Sequence, residues 1–129
     1  VKGAEGLNHF QLRVRSSSLS LEVIQADTFL GRFLGLMGKK ALPPFHGLLL
    51  IPCSSVHMCF MRFPIDVVYL AADGQVLKVR PRLQPWYGLS WCPGAWGVLE
   101  LPAGGAEQAG IQKGEWLQCS ESTLFCSKK

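Results

Sequence analysis

Hydrophobic and polar positions alternate at period two along much of the chain, the spacing of half-buried β-strands. Phe10 to Arg15 (FQLRVR) and Leu19 to Val23 (LSLEV) alternate on either side of Ser16-Ser17-Ser18, which predicts an antiparallel hairpin. Phe45 to Ile51 reads as a buried strand and Val56 to Phe60 as the next, with Cys53-Ser54-Ser55 as the bend between them. Pro64 breaks that run, and Ile65 to Ala71 (IDVVYLA) resumes it. Asp73-Gly74 is a hairpin signal leading into Gln75 to Arg80. Residues 81 to 94, PRLQPWYGLSWCPG, read as a loop rich in proline, glycine and tryptophan. Ala95 to Leu101 and Glu115 to Cys119 complete the strand pattern.

One stretch follows a different period. Asp27-Thr28 is a good N-cap pair, and Phe29, Phe33 and Met37 then recur at i, i+4 and i+8. A short helix near residues 28–37 fits, although Gly31 and Gly35 each cost it about 1 kcal/mol against alanine. Pro102-Ala103-Gly104-Gly105 turns into a second helical piece near 105–110. The fold class expected is mainly β (α+β): a single compact antiparallel β-barrel or sandwich of about eight short strands. It is expected to be one domain over 1–129, with a leader at 1–8 and a tail at 120–129.

Composition narrows the class of protein more than its function. With 129 residues, 48% hydrophobic and 17% charged, the chain can bury its own core without metals or disulfides. The net charge of +4 is compatible with an anionic partner and does not require one. Five cysteines at 53, 59, 92, 119 and 126 make no C-x-x-C pair, so neither a zinc ribbon nor a thioredoxin-like motif is supported. Reduced thiols in a cytoplasm are expected, and no membrane span, since the longest apolar run, Gly47 to Ile51, is far too short. A start at Val1 is also compatible with a removed export signal.

The ordered motifs resemble a known family. They are GLMGKK-L at Gly35 to Leu42, VHMCFMRFPIDVVYL at Val56 to Leu70, and the Asp73-Gly74 hairpin with VLKV. Pro85-Trp86, VLELPAG at Val98 to Gly104, and Gly110 to Glu115 follow in order. Together they are similar to the uncharacterised prokaryotic family called domain of unknown function 192, over roughly residues 10–118. Many members read W-M-K-N-T before a P-L-D; here Met58, Pro64 and Asp66 align, while the tryptophan, lysine and threonine are replaced. The resemblance implies a compact, mainly β, single-domain fold and no particular activity.

Chemically capable groups concentrate between Pro52 and Leu70. Cys53, His57, Met58 and Cys59 are ligand types that suit Cu(I) or Zn²⁺, but alternation in a strand sends 58 away from 57 and 59, so no metal or other cofactor is assigned. Asp66 with His57 could form a general acid–base pair, with Glu100 as a further carboxylate and Arg62 placing an anionic substrate. The structural alternative is that Asp66 ties its loop through backbone N–H groups and an Arg62 salt bridge. Lys78, Arg80 and Arg82 alternate onto one face ahead of Trp86, Tyr87 and Trp91, as single-stranded nucleic acid would require. A solvated strand face beside a capping loop explains the same residues. The leading expectation is a non-enzymatic module that binds a small ligand or protein in a pocket walled by His57, Met58, Arg62, Asp66, Trp86 and Glu100. A small acid–base enzyme and a nucleic-acid binder are its rivals.

Overall fold

The alternating segments fold as strands, and the computed structural model describes them over residues 7–26, 42–59 and 61–119. The helix expected near 28–37, the tail at 120–129 and residues 1–6 of the leader lie outside the described residues. In chain order the strands are β1 (Leu7–Val14), β2 (Ser20–Ala26), β3 (His46–Leu50), β4 (Ser55–His57) and β5 (Ile65–Leu70). They continue as β6 (Val76–Leu83), β7 (Leu89–Trp91), β8 (Gly97–Pro102) and β9 (Leu117–Cys119), with one described helix, α1 (Gly105–Ala109).

Seven strands form one sheet in the order β6-β5-β8-β3-β2-β1-β9. β1 and β2 are the expected hairpin, with Leu12 opposite Leu21 and the serine turn closed by Val14 N–H to Leu19 O at 2.8 Å. The β5–β6 hairpin turns at Gly74, whose φ of 95° is open to glycine and strained for other residues. The sheet is not wholly antiparallel. β2 and β3 pair in parallel, with Ile24 opposite Leu48. Parallel neighbours need a crossover of a dozen or more residues, which residues 27 to 45 supply and which strand patterning alone does not reveal.

The sheet curls into a half-barrel, and its two edge strands approach at one end. Gln75 bridges Trp116, Val76 N–H donates to Glu115 O at 2.8 Å, and Leu117 N–H donates to Gly74 O at 3.0 Å. Glu115 also accepts the Ser16 hydroxyl at 2.6 Å, fastening the β1–β2 turn to this closure. That bond and two backbone N–H groups hold the Glu115 carboxyl below its ordinary range.

Two hydrophobic layers follow from the alternation. Leu12, Val14, Leu21, Val23, Leu49 and Leu99 fill the concave side, sealed at one end by Ala106 and Ala109 of α1. Leu48, Leu50, Ile65, Val67, Tyr69 and Val98 fill the opposite side, under Val56, Met58 and Met61. Because β5 is covered on both sides, all six of its residues are buried, and IDVVYL reads as a continuous run.

The outer cover is a separate two-stranded ribbon, β4 with β7. Two expected boundaries change here. β4 spans Ser55–His57 rather than reaching Phe60, because Met58 O accepts N–H groups from Met61 and Trp86 and bends the chain. The expected loop at 81–94 contains the end of β6 and all of β7, a strand too short for its period to register.

Candidate functional site

The sequence-predicted residues separate into four places. Asp66 is 1% exposed and belongs to the architecture: one carboxylate oxygen accepts Arg82 N–H at 2.9 Å, the other Ala106 N–H at 3.0 Å. The second bond caps α1 from another strand, since Gly104 provides no side-chain cap.

Glu100 points the other way. On the β5–β8 pair, Leu101 stands opposite Asp66 while Glu100 stands opposite Val67, so the two carboxylates lie on opposite faces of the sheet. Glu100 is flanked across the strands by Leu48 and Val67 and is 6% exposed. Burial in this apolar row pushes its carboxyl up to about 7.

His57, Met58 and Trp86 belong to the ribbon. His57 is exposed and paired with Leu89, whereas Met58 is fully buried beneath it. Arg62 is exposed in the connection to β5. No hydrogen bond joins Asp66 to His57 among the described residues, and they sit on different layers. A groove of about 400 Å³ beside β6 is walled by Asp66, Pro81, Arg82, Ala106, Glu107 and Gln112, without His57, Met58, Trp86 or Glu100. The structure therefore does not gather the six expected residues around one mouth.

Cys53 and Cys59 do not converge on His57 either. The Cys53 thiol donates to Ser55 O at 3.1 Å, and Cys59 is exposed beyond the end of β4. Among the described residues, no three His, Cys, Asp or Glu side chains come together as a metal site.

What the structure does assemble is the outward face of the ribbon. Val56 and Ser90 point inward, and the Tyr69 hydroxyl donates to Ser90 Oγ at 2.9 Å in the buried layer. Burial raises the Tyr69 pKa, the Ser90 bond works against this, and nearby Cys53, Cys92 and Glu100 add to the rise. The alternate residues point outward: His57 beside Leu89, and Ser55 beside Trp91. Leu89 is 58% exposed and Trp91 56%, while the adjoining Trp86 is 57% and Tyr87 81% exposed.

Gly88 is required at this turn. A Cβ there would sit 2.3 Å from Gln84 O and 2.9 Å from the Met58 side chain. The basic strand runs alongside, because Lys78 Nζ donates to Trp91 O at 2.8 Å. Leu89 and Ser90 were the site residues that pattern reading missed. The alternation in Leu89-Ser90-Trp91 is there, but it lies inside a stretch punctuated by Pro85, Gly88 and Pro93.

The family model described as "Uncharacterized ACR", DUF192, matches residues 10–119. A UPF0127 protein of Pyrococcus furiosus is 32% identical over 110 residues, covering 81% of this chain and 91% of that protein. A Sinorhizobium meliloti crystal structure described as a candidate transcription regulator superposes with a TM-score of 0.81 at 23% identity, covering 89% of this chain and 96% of the other. A Novosphingobium aromaticivorans protein of unknown function gives a TM-score of 0.76 at 20% identity, over 87% and 84% of the two chains. The two solved structures share the fold.

Proposed function

We infer that this chain, which belongs to the DUF192 family of uncharacterised proteins, is a non-enzymatic binding module that receives its partner on the outward face of the β4–β7 ribbon. One observation carries the reading. Of the six large hydrophobic side chains exposed among the described residues, four (Trp86, Tyr87, Leu89 and Trp91) fall within a single turn-and-strand. Scattered exposed apolar groups need no explanation, but a contiguous set does, since burying each would be worth about 1.5–3 kcal/mol. The ring-bearing residues are also the types that anchor interfaces. Beneath them Val56, Met58 and Ser90 are packed or hydrogen-bonded, so the face rests on rigid backbone.

His57 and Trp86 of the expected pocket keep a place in this reading. Asp66 serves the fold, and Glu100 lies in the buried layer. The four described cysteines are thiols, which suits a reducing cytoplasm. No described helix is long and apolar enough to cross a membrane.

The test places a photo-crosslinking amino acid at Leu89, and in a parallel protein at Gln11 on β1, with irradiation inside the cell. The reading expects a discrete adduct from position 89 that position 11 does not give. Equal or absent adducts at both positions would overturn it.

A further inference from the structure

We propose that the partner of this face is single-stranded nucleic acid, with bases stacked on the rings of Trp86, Tyr87 and Trp91 and phosphates held by the β6 cations Lys78 and Arg80. The inference rests on the ribbon being a contact face and adds what the contact is with. Three observations carry it.

Position comes first. Lys78 lies across from Tyr69 and Arg80 across from Val67, so both side chains leave β6 on the ribbon side of the sheet. The Lys78–Trp91 bond fixes one end of the two strands side by side. The chain then leaves β6 at Leu83 and re-enters β7 at Leu89, so a cationic ridge and an aromatic ridge run together. Lys78 and Arg80 are two residues apart, about 7 Å along a strand, close to the separation of phosphates in an extended single strand.

Charge comes second. The segments that build the face, residues 53–65 and 74–99, contain no aspartate or glutamate; they contain Arg62, Lys78 and Arg80, together with Arg82, which walls the groove beside Asp66. Of the carboxylates that flank these segments, Asp66 is sealed against two backbone N–H groups, Glu100 is buried in the apolar row, and Asp73 sits exposed at the β5–β6 turn, where it accepts Gln75 N–H. A face with cations and no anions is complementary to a polyanion.

Ring presentation comes third. Trp86, Tyr87 and Trp91 are each more than half exposed. Stacking on side-chain rings needs unpaired bases with an open π-face, which a duplex withholds.

The test measures anisotropy of a fluorescein-labelled oligothymidylate of about 15 nucleotides and of a matched duplex, with the full chain, across a salt series. Tyr87→Ala and Trp91→Ala are the ring variants, Arg80→Gln the charge variant, and Leu19→Ala at the distant β1–β2 turn the control. Expected are preference for the single strand, a log–log salt slope of about −1.4 for two phosphate contacts, and roughly tenfold weaker binding for each ring variant. Arg80→Gln should flatten the slope by about 0.7. All substituted side chains are exposed, so thermal unfolding should show each variant folded.

Absent binding at low salt, equal binding of duplex, or indifference to both ring variants would overturn the inference. The Leu89 crosslink then separates the two readings. An adduct destroyed by protease and resistant to nuclease would sink nucleic acid while keeping the face as an interface. No adduct would sink both.

Discussion

Glu100 gives the sharpest quantitative prediction, because one atom change removes its charge and little else. Its carboxyl lies between Leu48 and Val67, and burial raises its pKa from 4.5 to about 7. The folded state therefore holds a proton that the unfolded chain has already released between those two values. With more protons bound in the native state, stability falls as pH rises. The contribution is fully present below about pH 4.5, is lost progressively as pH climbs, and levels off above about pH 7. At about 1.4 kcal/mol per pH unit, that interval is worth about 3 kcal/mol.

Glu100→Gln mimics the protonated acid and cannot ionise. The two proteins should unfold at similar urea concentrations near pH 4, and the variant should be the more stable by up to about 3 kcal/mol near pH 8. Chemical denaturation of both proteins from about pH 4 to 9 makes the comparison, and subtracting one curve from the other cancels every other titrating group. A difference that is flat across this range, or that grows toward acid, would refute the argument and mean that the carboxylate is stabilised in the folded protein.

Three further outcomes follow from the same packing. Asp66→Ala should cost about 3 kcal/mol, since it strands one buried and one part-buried N–H group, and amide exchange at Ala106 and Arg82 should accelerate first; unchanged exchange there would contradict the capping role. Gly88→Ala should disorder the ribbon while leaving the concave core folded, seen as altered tryptophan emission with β1–β2 amides unshifted; an unperturbed emission spectrum would mean the turn relaxes freely. Tyr69→Phe and Ser90→Ala should each cost about 1 kcal/mol, and the double variant should cost clearly less than their sum, because they share one buried hydrogen bond; strict additivity would show that the bond contributes nothing.

The residue order was enough to locate the β1–β2 hairpin, by its alternation, and β5, β6 and β8, by apolar runs bounded by Pro64, Asp73-Gly74 and Pro102, because a half-exposed strand alternates and a strand covered on both sides does not. It was enough, too, for the ordered motifs from Gly35 to Glu115 that match the family. It marked Asp66 and Glu100 as candidate carboxylates, and Trp86, Tyr87 and Trp91 as rings near cations. What it could not assign was facing across strands. Asp66 and Glu100 have opposite orientations because Leu101, not Glu100, pairs with Asp66, a register fixed only when β8 docks between β3 and β5. The parallel β2–β3 pairing and the docking of β7 on β4 are likewise contacts between segments distant in the chain. They are set by which apolar surfaces cover one another, and that choice is made by the whole fold at once.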